Sequence, residues 1–180
     1  MHVGVVILPL APWPALASRW QWAERAGARH GWTFDHLIWR GAPNQPWLSA
    51  IPVLTGVAGL TSTIRLGTLV SSANFRDAVP FAKEAVSVDH ISHGRLTLGI
   101  GAGAGGFDAQ QRTVPGRSRT ERFAAFVEDL HHLLGPERVT HPAGRMRPGP
   151  AQTPRLSTGD RSHTGPWPAF GCALRRLLAD

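Results

Sequence analysis

The chain has 180 residues, 42% hydrophobic and 17% charged, a balance that suits one globular domain with a core and excludes a disordered polymer. Its formal net charge of +7 invites a polyanionic partner, but after Gly135 seven Arg (138, 145, 147, 155, 161, 175, 176) meet only Glu137, Asp160 and Asp180. Over half of the surplus therefore lies outside the patterned region, and no nucleic-acid partner is expected. The lone Cys172 excludes an internal disulfide or a cysteine metal cluster, and no stretch approaches the ~20 apolar residues of a membrane span. Met1 to Leu10 lacks the basic start of a signal peptide, so a cytoplasmic protein with no membrane partner is expected.

His2 to Leu8 (HVGVVIL) has the pattern of a buried strand. A helix is predicted from Pro14, with Leu16, Trp20, Ala23 and Ala26/Gly27 as its apolar stripe and Gly31 as its stop. Trp32 to His36 (WTFDH) is aromatic and β-prone, and predicts a second strand. The apolar segment Trp47 to Gly59 predicts a second helix, and Ile64 to Val70 (IRLGTLV) a third strand. Pro80 to Ile91 predicts a helix with Phe81, Ala85, Val88 and Ile91 on one side. Arg95 to Ile100 (RLTLGI) is the fourth strand. In Thr120 to Leu134, Phe123, Phe126/Val127, Leu130 and Leu133/Leu134 recur at helical spacing.

Strand starts at 2, 32, 64 and 95 leave intervals of 30, 32 and 31 residues. Such spacing holds one strand, one crossover helix and two loops, so residues 1–135 predict four βα units. Parallel strands with right-handed crossovers form either a barrel or a doubly wound sheet. The expected fold class is α/β, a partial TIM-type (βα) barrel of about four units, since a complete barrel has eight and typically ~250 residues. From residue 136 to 180 Pro, Gly and Arg dominate, and only Ala169 to Leu178 suggests a short helix. Loss of reading frame near residue 140 explains this change better than a natural extension does.

Asp35 and His36 close the second strand. In a βα barrel that position lies on the catalytic face. An Asp beside a His can hold the imidazole's tautomer for proton transfer. The plain alternative is an Asp capping the next loop and a His packed under Trp39. Gly67 to Asn74 (GTLVSSAN) closes the third strand. The run Gly99 to Gly106 contains G-x-G-x-x-G at Gly101, Gly103 and Gly106, but Pro115 and Gly116 intervene before the next helix, which argues against a Rossmann turn. His90 and His93 lack a third metal ligand, and no metal site is expected. Most of the six Trp between residues 13 and 47 suit packing; Trp39 and Trp47 are candidates for the wall of a substrate mouth.

Val88 to Gly103 (VDHISHGRLTLGIGAG), Ile64 to Arg76 (IRLGTLVSSANFR), Pro80 to Glu84 and Phe34 to His36 together resemble the luciferase-like monooxygenase family, in the right order over residues 1–135. Within it the chain is most similar to the branch that uses coenzyme F420. The resemblance implies a flavin- or F420-dependent oxidoreductase or monooxygenase with a small-molecule substrate and F420 or FMN as cofactor. It implies His36 as proton donor or acceptor with Asp35 as its orienter. It implies a non-proline cis bond at Leu69–Val70, and a cofactor ring lined by Leu69, Val70, Ser72, Asn74, Ala102 and Gly103. Several relatives carry Thr-Gly-Glu where this chain has Ala102-Gly103-Ala104, so an acid from that segment is missing. The chain is expected to be the N-terminal half of such an enzyme, truncated and inactive as it stands. The rival readings are a noncatalytic half-barrel that self-associates through exposed strand edges, and a doubly wound nucleotide-binding protein.

Overall fold

A computed structural model describes residues 3–39, 44–103, 107–110 and 118–135. The expected tail, residues 136–180, and its short helix lie outside the described residues. Four strands, β1 (Gly4–Val6), β2 (His30–Thr33), β3 (Arg65–Ser72) and β4 (Leu96–Gly101), form one sheet in the order β1-β2-β3-β4, all parallel. Between them run α1 (Trp13–Arg25), α2 (Ala50–Leu60) and α3 (Ala78–Ile91). The short α4 (Phe107–Gln110) and the longer α5 (Arg119–Leu134) follow β4. Sequential order is the arrangement of a barrel segment; a doubly wound sheet would place β1 between later strands.

Strand β2 shows why the layers form. Trp20 of α1 lies against Gly31 so closely that any side chain at 31 would overlap its ring. On the opposite face, Trp32 covers Gly67 in the same way. Odd positions thus face the helices and even ones the inner surface, as a period of two demands. Gly31 is therefore a strand residue that admits Trp20, rather than the stop of α1. That helix ends at Ala26, and Gly27 takes the left-handed turn at φ 85°. Two other expectations shift for similar reasons. Ala26 and Gly27 are exposed rather than part of the α1 stripe, and Ile91 is exposed where α3 ends. The second strand starts two residues earlier than expected, because its ladder is set by pairing of Gly4 with His30 and of Trp32 with Gly67.

The core lies between sheet and helices. Leu16, Trp20, Leu54, Val57, Ile64, Leu66, Phe81, Val88, Leu96, Leu130 and Leu134 are fully buried in it. Each such side chain contributes roughly 1.5–3 kcal/mol through removal of apolar surface from water. Helix α5 packs mainly on α3, with Phe126 against Phe81 at a ring separation of 5.8 Å. Its start is a capping box: Ser118 Oγ accepts from the Glu121 N–H, and the Glu121 carboxylate accepts from the Ser118 N–H.

At the N-terminal end of the strands, a charged side chain ties the layers together. Glu24, in the last turn of α1, accepts through one oxygen from the N–H groups of Ser62, Thr63 and Ile64 and from Thr63 Oγ1, at 2.6–3.0 Å. Burial alone would raise its pKa, but the donors at Ile64, Thr63 and Ser62 outweigh it and hold the carboxyl below its ordinary value. A lowered folded pKa contributes stability that is complete above the unfolded value, about 4.3 for Glu, and is lost as pH falls through the folded value. Urea midpoints measured from pH 7 down to pH 3 should therefore fall with pH. Glu24→Gln should flatten that fall and cost about 1–3 kcal/mol at pH 7; an unchanged pH profile would remove Glu24 from this role.

A candidate active site at the strand C-terminal ends

Loops leaving β2, β3 and β4 gather at one end of the sheet, the end where βα barrels carry their chemistry. The β2 loop brings Phe34, Asp35 and His36. His36 sits in an aromatic surround: Trp39 at 5.3 Å, Trp47 at 6.0 Å and Phe34 at 6.3 Å between ring centres. Trp39 and Trp47 stack on each other at 5.6 Å and 13°. Trp47, expected inside α2, instead precedes it and joins this wall. The His36 side chain remains 38% exposed.

The partner of His36 is not the neighbouring Asp35. Its Nδ1 lies 2.6 Å from Oδ2 of Asp108 in α4, whose Oδ1 accepts from the Leu37 N–H at 3.0 Å. Asp35, 2% exposed, accepts from Arg76 Nε at 2.6 Å and from Arg76 Nη2 at 2.8 Å. Both residues, expected to close the second strand, lie in the loop past its end at Thr33, where each turns to its own partner. Arg76 in turn rests over the rings of Phe75 and Phe81 and reaches Glu84 at 3.4 Å. The expected Asp35–His36 pair is thus replaced by two pairs, Asp35–Arg76 and Asp108–His36. The former joins the β2 and β3 loops as a buried bidentate bridge.

Strand β3 carries a cis peptide at Leu69–Val70, with a register shift against β4 between Thr68 and Ser71. Leu69 and Val70 remain 44% and 37% exposed. Val70 fits because β4 offers glycine opposite it: a side chain at Gly101 would overlap Val70. At the end of the strand, Ser72 Oγ accepts from the Asn74 N–H at 3.1 Å, and both residues are buried. Gly103 rests directly on them with φ 73°, where a Cβ would overlap both Ser72 Oγ and the Asn74 amide. Ala102 and Gly103 are half-buried. Ser72, Asn74 and Gly103 therefore form one floor, while Leu69 and Val70 offer the apolar surface beside it.

The sequence reading missed Asp108. It is nonetheless the only acid between Asp89 and Glu121, and so the only carboxylate of the chain segment joining β4 to α5. Among the described residues no group of three His, Cys, Asp or Glu is placed to hold a metal ion. No helix among them is long and apolar enough to cross a membrane.

The family model of the luciferase-like monooxygenases matches residues 1–170, and the chain belongs to that family. The match runs past Gly135, where the resemblance read from the sequence ends. The chain is 39% identical over 98 residues to the oxygenase component of a flavin-dependent trigonelline monooxygenase from Acinetobacter baylyi, covering 53% of this chain and 26% of that protein. Among solved structures it is similar to the coenzyme F420-dependent tetrahydromethanopterin reductase of Methanopyrus kandleri, at 29% identity and TM-score 0.51, covering 57% of this chain and 27% of that one. The fold also matches the oxygenating component of 3,6-diketocamphane monooxygenase from Pseudomonas putida, solved with FMN. There the TM-score is 0.66 at 17% identity, over 78% of this chain and 41% of that one. The chain spans 26–36% of the length of curated relatives such as these.

Proposed function

We propose that residues 1–135 form the N-terminal half of a cytoplasmic F420- or FMN-dependent oxidoreductase acting on a small molecule, with His36 as its proton donor or acceptor. One observation carries the reading: a half-exposed His36, anchored through a single ring nitrogen, shares the strand-end face with the exposed Leu69–Val70 surface and the Gly103 floor. A flat redox ring fits that surface, because Gly103 admits no side chain above Ser72 and Asn74. Leu69 and Val70 would hold the face of the ring, while Ala102 and Gly103 would approach its polar edge with Ser72 and Asn74 beneath. When bound, the cofactor supplies the redox step; the chain's own groups orient it and move protons. His36 would give or take one proton at the substrate. Asp35, tied to Arg76, would hold the β2 loop in place.

A second reading has a specific observation behind it. Strands β1 and β4 each have one neighbour among the described residues, and the β1 edge is apolar. Val3, Val6 and Trp22 are 52%, 47% and 65% exposed. Such an edge favours pairing with another chain, and a noncatalytic half-barrel would self-associate through it. Fluorescence titration of the 180-residue chain with F420 and with FMN, combined with light scattering, separates the readings. Weak, saturable binding of one cofactor supports the oxidoreductase half. Self-association with no response to either cofactor supports the noncatalytic remnant.

A further inference from the structure

We propose that Asp108 is a positioning residue that fixes the tautomer of His36, holding the proton of the neutral ring on Nδ1 and leaving Nε2 as the atom that exchanges a proton with substrate. The assignment rests on the reading of His36 as the proton-transfer group. Its basis is the geometry of the pair. An ionised carboxylate only accepts hydrogen bonds, so the ring nitrogen beside it must carry the proton. The 2.6 Å separation is just shorter than the usual range of such charge-assisted contacts, about 2.7–2.9 Å. In a neutral imidazole one nitrogen donates and the other accepts, so a proton held at Nδ1 leaves a lone pair at Nε2.

The carboxylate is itself held. Its second oxygen accepts from the Leu37 N–H at 3.0 Å, and the Asp108 side chain is only 13% exposed. It therefore grips both the ring and the backbone of the β2 loop, 71 and 72 residues away in sequence. The other acid near His36 in sequence, Asp35, pairs with Arg76 through both oxygens and makes no hydrogen bond to the ring. Among the described residues, the rings beside His36 are those of Phe34, Trp39 and Trp47. They fix the plane of the ring and offer no competing base. Among the described residues none meets Nε2 with a hydrogen bond, and the side chain is 38% exposed. A carboxylate that orients an imidazole and sets which nitrogen reacts is a familiar division of labour between paired residues. Here it is built from two segments that the sequence keeps far apart.

The tautomer can be read without cofactor or substrate. Long-range proton–nitrogen correlation spectra of the full chain, labelled with ¹⁵N-histidine, would be recorded at a pH where His36 is neutral. A His36→Gln spectrum identifies its signals among the nine histidines. The expected pattern is a protonated-type shift at Nδ1 and a bare-type shift at Nε2. Asp108→Ala should move the ring toward the Nε2–H form that free imidazole side chains prefer, exchanging the two shift classes. A wild-type ring already in the Nε2–H form would overturn the proposal, as would a pattern unchanged in Asp108→Ala. Should that variant fail to fold, the wild-type tautomer decides alone. The outcome is independent of turnover: an Nδ1–H ring in a chain that never supports catalysis would leave this assignment intact and sink the proton-transfer reading instead.

Discussion

Under the proposed oxidoreductase reading, replacing His36 with alanine in a chain extended to the length of its relatives should lower turnover by about 10²–10⁴, the usual contribution of a positioned proton-transfer group. Cofactor affinity should change only a few-fold. The asymmetry follows from the placement of the side chain. His36 contacts Phe34, Trp39, Trp47 and Asp108, whereas the surface offered to a ring is built from Leu69 and Val70 of β3 and Gly103 just beyond β4. His36→Gln keeps some bulk in the aromatic surround but cannot cycle a proton near neutral pH, so it should behave like the alanine variant. Steady-state rates and cofactor binding, measured side by side, check the split. Equal loss of binding and rate would mean that His36 holds the loop together rather than moving protons.

Arg95→Ala should cost about 3–5 kcal/mol, the size expected when several buried carbonyls lose their donor at about 1–3 kcal/mol each before relaxation. Arg95 is 9% exposed, and its guanidinium donates to the carbonyls of Ala58, Thr61, Ile64 and Ser92 and to Thr61 Oγ1, at 2.7–3.0 Å. It thereby satisfies carbonyls at the end of α2, which no later helical N–H can reach. Burial pushes its pKa down, and the Glu24 carboxylate nearby partly offsets that. Truncation would leave several carbonyls buried without donors, each costing about 1–3 kcal/mol before relaxation. Arg95→Lys should recover little, since an ammonium has three donors and no planar fork. Domains of this kind are stable by about 5–15 kcal/mol in all, so a large share of the variant would unfold in mild urea. A loss below about 1 kcal/mol by chemical denaturation would contradict this role, given the penalty for orphaned carbonyls.

Much of the fold is legible because buried parallel strands announce themselves as short apolar runs at barrel spacing. The starts of β3 and β4 were visible in Ile64–Val70 and Arg95–Ile100 for that reason. Boundaries were less legible where a residue serves two demands. Gly31 has the chemistry of a helix stop, yet it stands inside β2 because Trp20 occupies the space of its side chain. The S-x-x-E pattern at Ser118–Glu121 was a readable signal for the start of α5, though the apolar spacing alone suggested Thr120. The cis bond at Leu69–Val70 followed from family resemblance; nothing in the composition of GTLVSSAN requires it. The site was harder to read than the fold. Adjacency suggested that Asp35 serves His36, but both lie in the loop beyond β2, where each finds a partner distant in sequence. Asp108 sits in a four-residue helix after a glycine run, where no periodicity marks it. Only the folded chain brings it across to His36.

The most direct test is to map cofactor contacts residue by residue. Amide chemical shifts of the ¹⁵N-labelled chain would be followed while F420, and separately FMN, is added to millimolar concentration, which reveals even weak binding. The expected result is a set of shifts concentrated at His36, Leu69, Val70, Ser72, Asn74, Ala102 and Gly103, with residues at the opposite end of the sheet, such as Glu24, Thr63 and Arg95, unmoved. Shifts centred on the Glu24–Arg95 end, or no response to either cofactor, would contradict a redox-cofactor site on the His36 face.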